Sequence, residues 1–308
     1  SGLSGMVIAC YFVAPLFMDR TLVIAGLPPL TGGIVAATMM QGAATKAGLT
    51  VAAVFAISMY CVQGFAGYPL TAICLKREGA RLLEGYRKGE LSISEDDLEA
   101  VHSATKLGEG KVEEPTARLP LQLPESFNSP VMILTKLGLV AYLALLIGPK
   151  TGISAAIWAL ILGIIFCRLG FLDRNALVKA NSAGIMMMAL TMYIFDGLKD
   201  CTPEMLKDII VPMIVMIAIG LIGMFAIAFF VAKVMKISTN LAFANCLTAL
   251  YGYPFDQIIT IQTCDSLAKT PEEHAFLMSR MFPSMIVSGF VTVTITSVII
   301  AGIFVNML

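Results

Sequence analysis

The chain has 308 residues, 57% of them hydrophobic and 14% charged, with a mean hydropathy of +0.84. A soluble domain carries about a quarter charged residues, so water is excluded as the main solvent. Lys plus Arg equals Asp plus Glu at 21 each, which excludes the basic excess of a nucleic-acid binder.

Long apolar runs separated by short charged clusters place membrane spans near residues 4–18, 24–44, 48–75, 130–148, 152–170, 180–198, 209–232, 238–264 and 283–307. Runs of this length cross the roughly 30 Å hydrocarbon core as helix, because lipid leaves backbone groups no other partner. The first run has no basic segment before it and is not read as a signal peptide. It ends at Asp19-Arg20, and the run over 180–198 ends at Asp196 with Lys199 beyond it; both aspartates are read as interfacial and paired.

In the second run Pro28-Pro29 precede Thr31-Gly32-Gly33, with Gln41-Gly42 later. This is too broken for a plain lipid-facing helix and suits close packing or re-entry. The third run carries Gln63, Gly67, Tyr68, Pro69 and Thr71. Residues 76–129 then change character: Lys76, Arg77, Arg81, Arg87 and Lys88 open a polar insertion, Ser94 with Asp97 has capping-box spacing, and Pro115, Pro120 and Pro124 precede the next run. One or two short amphipathic helices are expected there.

If that insertion is cytoplasmic, alternate loops place Arg168, Arg174, Lys179, Lys233 and Lys236 on its side and Asp200, Glu204, Asp208, Asp265, Glu272 and Glu273 opposite. The eighth run, 238–264, contains Asn240, Asn245, Thr248, Gly252, Tyr253, Pro254, Asp256, Gln257 and Gln262. A carboxylate at membrane depth costs roughly 2.5–3.5 kcal/mol on insertion scales, so Asp256 is the leading candidate for binding a cation, a proton or a basic group of a substrate.

Cys61-x5-Gly67-Tyr68-Pro69 recurs with the same spacing as Cys246-x5-Gly252-Tyr253-Pro254. Ser4-Gly5 through Asp19 also aligns loosely with Ser182-Ala183-Gly184 through Asp196. The two Gly-Tyr-Pro copies fall five spans apart, an odd offset that reverses direction, as in an inverted-topology repeat. Proline and glycine inside a span free backbone groups that lipid does not satisfy; both copies are therefore expected as unwound backbone lining a site. The expected fold is an all-α integral membrane bundle of nine to ten spans, two inverted five-helix repeats with broken helices. Its first repeat covers 1–75 and 130–148 and wants one more helix before Ser1, and its second covers 149–308.

The segment Leu30-Thr31-Gly32-Gly33 through Ala36-Ala37, then Gly48-Leu49, an apolar span and Gly67-Tyr68-Pro69 before Lys76-Arg77, resembles the glycine-rich segment and following helix of the sodium-dependent glutamate symporters and their 2-hydroxycarboxylate relatives. That resemblance implies two inverted five-helix repeats and sodium-coupled uptake of an anionic substrate. Where those symporters continue the double glycine with His-Gly-Thr, this chain has Ile34-Val35-Ala36, so no substrate contact is carried across.

The functional expectation is a secondary transporter of a small organic, anionic solute in the plasma membrane. It would be coupled to sodium or protons, would be no enzyme, would need no cofactor and is compatible with a homodimer. Thr31, Gly32, Gly33, Gln63, Gly67, Tyr68, Pro69, Thr71, Asn245, Gly252, Tyr253, Pro254, Asp256 and Gln257 are the expected substrate- or ion-binding residues. No GxxxxGK[ST] loop couples the chain to ATP. The alternatives are a membrane scaffold subunit docking through 76–129, and an aspartyl protease using Asp196 and Asp256, around which no GxGD motif stands. Nineteen methionines form no array with histidine or cysteine, seven cysteines form no CxxC pair, and His102 and His274 fall outside the apolar runs, so no metal site is expected.

Overall fold

A computed structural model describes residues 2–108, 120–121, 129–152, 154–199, 201–252 and 254–308. Of the residues singled out above, Pro115, Pro124, Asp200 and Tyr253 lie outside the described residues. The described chain is all-helical. Thr50–Arg87, Pro130–Thr151, Pro203–Met235 and Pro271–Met307 are long and apolar enough to cross a membrane, and Gly2–Leu16, Ala155–Arg168 and Ala183–Leu198 are shorter apolar helices. The chain divides into two compact units, Ser1–Glu109 with Asp200–Leu308, and Gly110–Lys199.

The first unit holds α1 (Gly2–Val13), α2 (Arg20–Leu30), α3 (Ile34–Lys46), α4 (Thr50–Arg87) and α5 (Glu95–Gly108). The second holds α6 (Pro130–Thr151), α7 (Ala155–Arg168), α8 (Ala176–Lys179) and α9 (Ala183–Leu198), after which the first unit resumes with α10 (Pro203–Met235), α11 (Thr239–Leu247), α12 (Phe255–Leu267), α13 (Pro271–Phe290) and α14 (Ser297–Phe304).

The 38-residue α4 is the axis of the first unit, about 57 Å long at 1.5 Å per residue. The polar segment expected from residue 76 begins inside this helix, whose last turns carry Lys76 to Arg87. Two helical hairpins approach α4 from opposite ends. At the Thr50 end, Ala25 of α2, Ala44 of α3 and Ala52 and Ala53 of α4 share one buried cluster, so α2 and α3 fold back on each other around a tip at residues 31–33. At the Arg87 end, Ser238 before α11 donates to the Glu78 carboxylate, and Leu267 at the end of α12 lies against Gly79. The second tip, residues 248–254, reaches back to Gly67 of α4.

Over 24–44, where close packing or re-entry was the expectation, and over 238–264, expected as a straight pass and so corrected by the structure, the chain leaves from the end of α4 at which it entered. The loop after α12 therefore stands at the Arg87 end, where Glu273 takes a bidentate pair from Arg87 at 2.7 and 2.9 Å. The charge alternation that put Glu273 opposite the basic cluster fails for that reason.

α13 starts at the Arg87 end and α14 finishes beside the Thr50-end alanine cluster, which Leu308 joins, so the pair runs antiparallel to α4. α10 ends just before Ser238 and packs antiparallel on α1: Met6 meets Gly220, and Cys10 Sγ donates to the Met216 carbonyl at 3.5 Å. A Cβ on Gly5 would overlap the Gly223 carbonyl, so these helices approach as closely as backbones allow, the small-residue packing expected where apolar surroundings give no hydrophobic drive.

In the polar insertion, α5 forms behind a reciprocal cap, Ser94 N–H donating to Asp97 Oδ2 (3.0 Å) and Asp97 N–H to Ser94 Oγ (3.2 Å). Its Ala104 packs on Phe282 and Ile286 of α13, and Asp97 meets Arg280 at 3.1 Å. In the second unit Lys136 of α6 pairs with Asp173 at 2.5 Å, both mostly buried. Asp196 is exposed and pairs with Lys199, while Asp19 caps α2 through Thr21 N–H. That amide holds the Asp19 carboxyl below the usual carboxylate range.

Candidate functional site

The two hairpin tips meet. The first follows α2, which runs through Pro28 and Pro29 to Leu30, and turns at Gly32 and Gly33, whose φ of +104° and +86° lie in a region other residues avoid. Thr31 closes α2: its N–H donates to the Leu27 and Pro28 carbonyls, and its hydroxyl to Pro28 at 2.7 Å. Orphan carbonyls of the helix end are thereby satisfied without water. All three tip residues are buried, and a Cβ on Gly32 would overlap the carbonyl oxygen of Ala249 in the second tip.

The second tip is a 3-10 turn over Thr248–Leu250, after which Gly252 takes φ +68° and its N–H donates to the Thr248 carbonyl at 2.7 Å. Pro254 precedes α12, in whose first turn Asp256 sits. Asp256 is 0% exposed; Oδ1 accepts from Gln257 N–H at 2.8 Å, and Oδ2 has no hydrogen-bond partner. Oδ2 rests against Gly289 of α13, where a Cβ would overlap it.

Between α13 and α14 the helix widens into a π turn over Val291–Thr296, and this turn touches both tips. A Cβ on Gly33 would come within 2.5 Å of the Val293 carbonyl and 2.7 Å of Ser297 Oγ, and one on Gly252 within 2.8 Å of the Val293 side chain. A π turn misaligns the hydrogen-bond ladder and recurs at functional positions in helices.

α4 completes the surroundings with one face of Gln63, Gly67 and Thr71, spaced four apart and all buried. Gly67 makes room for Leu250 and Tyr251. Tyr251 OH donates to Thr71 Oγ1 at 2.9 Å, Tyr68 OH to Gln262 Oε1 at 3.2 Å, and the two tyrosine rings meet edge to face at 5.9 Å. Neither amide atom of Gln63 has a partner, although the residue is only 1% exposed.

The first Gly-Tyr-Pro copy is not unwound. α4 continues through it, with Pro69 on the exposed face and Thr71 Oγ1 donating back to the Gly67 carbonyl at 2.9 Å. A single missing N–H in a long, well-packed helix is tolerated when neighbours re-satisfy the ladder. Only the second copy is a break. The two copies therefore occupy elements of different kinds, one a continuous helix and the other a turn.

Two cavities lie in the first unit, and the larger of them is against the second tip. One of about 620 Å³ lies between α4 and α12 and is aromatic and apolar, lined by Tyr60, Phe65, Tyr68, Tyr251 and Phe255. The other, about 400 Å³, is bounded by α1, α10, α11 and the π turn and carries Ser4, Asn245, Ser288, Thr292 and Thr296. Asn245 Oδ1 there has no hydrogen-bond partner.

Among the expected residues the structure gathers Thr31, Gly32, Gly33, Gly252, Pro254, Asp256 and Gln257 at the tips, and Gln63, Gly67, Tyr68 and Thr71 on the helix facing them. Pro69 points away. Sequence reading missed Gly289, Val293 and Ser297; the run of hydroxyls over 292–297 inside an apolar span was the available signal. Among the described residues no three His, Cys, Asp or Glu side chains come together, so any cation there would rely on one carboxylate and neutral oxygens. Comparison of the chain with protein-family models, with curated proteins and with solved structures gives no match.

Proposed function

We propose that the chain is a secondary carrier that moves a small organic anion across the membrane by alternating access, with its site where the two hairpin tips meet. The observation that carries this reading is the meeting itself: two hairpins enter from opposite ends of α4 and their tips touch at Gly32 and Ala249, with a fully buried aspartate, whose Oδ2 has no hydrogen-bond partner among the described residues, just after the second tip. Irregular backbone at membrane depth is tolerated only where protein or a watery cavity surrounds it, and discontinuous helices are the recurrent site of transporters.

The series α1, hairpin α2–α3 and long helix α4 is matched by α10, hairpin α11–α12 and long helix α13–α14, running in the opposite sense. We read this as the inverted repeat of the carrier, in a register different from the Gly-Tyr-Pro copies. Alternating access then becomes an exchange between two near-equivalent arrangements, one open at each end. The resemblance to glutamate and 2-hydroxycarboxylate symporters drawn from Thr31-Gly32-Gly33 implies an arrangement of the same kind.

An anionic solute suits the electrostatics. α3 follows Gly33 and has no side-chain cap. Its first N–H groups offer partial positive charge beside the first tip, and the cavity bounded by α1, α10, α11 and the π turn is of a size for a small organic molecule. The test is uptake into proteoliposomes of a panel of mono- and dicarboxylates and amino acids under inward sodium or proton gradients. Gradient-driven accumulation that is lost in Asp256→Asn is expected; a panel that stays silent under both gradients would count against a carrier of organic anions.

A further inference from the structure

The carrier reading leaves the coupling ion open between sodium and a proton, and the surroundings of Asp256 distinguish them. A hard metal cation takes a shell of about six oxygens. Asp256 Oδ2 instead abuts the α13 backbone at Gly289, so closely that not even a methyl group fits between them. The adjacent carbonyls are engaged: Gly252 accepts from Asp256 N–H at 3.2 Å, and Asp256 from Thr260 Oγ1 at 2.7 Å.

The electrostatic surroundings lead the same way. Facing Asp256 are Tyr251 on its own connection, with Tyr68 and Cys74 of α4 behind it. α11 carries no charged residue, and α12 none besides Asp256 except Asp265, nine residues further on. On α13 the charges Glu272, Glu273, His274 and Arg280 begin nine residues, about 13 Å, from Gly289. On α4 the first charge is Lys76, beyond the Thr71 that meets Tyr251. Thr31–Gly33 and the π turn are uncharged. α5, which packs on α13 through Ala104, carries Glu95, Asp96, Asp97, Glu99, His102 and Lys106. Asp256 forms no salt bridge among the described residues; a sealed carboxylate in that position is costly in an apolar interior, and only a very small neutralising partner fits.

We propose that Asp256 is the coupling group of the carrier and that its partner is a proton rather than sodium: Oδ2 takes up a proton from the water on one side and returns it to water on the other as the tips exchange exposure. Gly289 is the positioning residue that lets Oδ2 seal against α13 in between. This inference rests on the carrier reading for its coupling role, but the proton site itself can be probed without any solute.

The experiment treats the full wild-type chain in nanodiscs with dicyclohexylcarbodiimide, which reacts with protonated carboxyls in apolar surroundings, across a pH series in sodium chloride or choline chloride of equal strength. Modification of the peptide containing Asp256 is read by mass spectrometry. Labelling at Asp256 that falls about tenfold per pH unit past its midpoint, identically in both salts, is expected. Protection by sodium at fixed pH, or no labelling at any pH, overturns the proposal. Sodium protection would remove the proton and leave a carrier standing, whereas a titrating Asp256 in a protein that moves no solute would leave the proton site standing and remove the carrier.

Discussion

The two hairpin tips reach the same junction by different means. The first is built from two consecutive glycines at positive φ, carries no charge, and presses backbone on backbone against Ala249. The second uses a 3-10 turn, one glycine and a proline, contacts its neighbours mainly through side chains, and holds Asp256. The difference separates fit from chemistry: one tip is a tight buttress, and the other carries the group that can change its charge.

The contrast is broken most severely at Gly32. Gly32→Ala adds a Cβ onto a carbonyl that cannot move aside and strains a φ of +104°, which should cost about 3 kcal/mol or more. Gly252→Ala meets the side chain of Val293, which can rotate, and should cost about 1–2 kcal/mol. Thermal unfolding of both variants in one detergent ranks them; equal losses would mean that the tips are not different in kind.

Gly289→Ala sharpens the comparison from the far side. Its methyl group displaces Asp256 Oδ2 at an overpacking cost of about 1–3 kcal/mol, so transport should fall further than stability does. Uptake normalised to folded protein separates the two. Removing one hydroxyl in Tyr251→Phe loses the 2.9 Å bond to Thr71 and should cost about 1 kcal/mol. Tyr68→Phe, whose bond to Gln262 is longer and more exposed, should cost less.

The smallest effect lies outside the tips. Amide donation from Ser94 holds the Asp97 carboxyl below its ordinary range. A lowered folded-state pKa contributes stability above the unfolded value and loses it as pH falls through the folded one. The grip of α5 on α13 should therefore weaken only in acid below the usual carboxylate range. Hydrogen exchange of α5 against pH checks the direction, and Asp97→Asn should remove the dependence.

How much of this was legible in the sequence depends on what hydropathy measures. It finds apolar length, and residues 24–44 and 238–264 are long enough to cross once. It does not report direction, so α11 and α12, of 9 and 13 residues, read as one continuous apolar run although the chain folds back between them. The misplaced Glu273 follows from that single error. The Gly32-Gly33 break and the aspartate at 256 were visible, because consecutive glycines and an intramembrane charge each have a local physical cost. The Gly-Tyr-Pro repeat misled because helix breaking depends on what surrounds the proline: the long, packed α4 continues through one copy, and a 3-10 turn with a positive φ opens the other. Gly289 could not be found from sequence, since its role is defined only by what packs on it.

The central claim is that both tips belong to re-entrant hairpins entering from opposite ends. It is tested by labelling single cysteines with a membrane-impermeant maleimide in sealed vesicles of one orientation, on a background with the natural cysteines replaced. Arg20→Cys and Lys46→Cys flank the first hairpin, and Lys88→Cys and Lys269→Cys stand at the opposite end of α4, all four at exposed positions. The account predicts that the first two label from one face and the last two from the other. Labelling of residues 20 and 46 from opposite faces, or of 88 and 269 from opposite faces, would make the hairpins straight passes and contradict it.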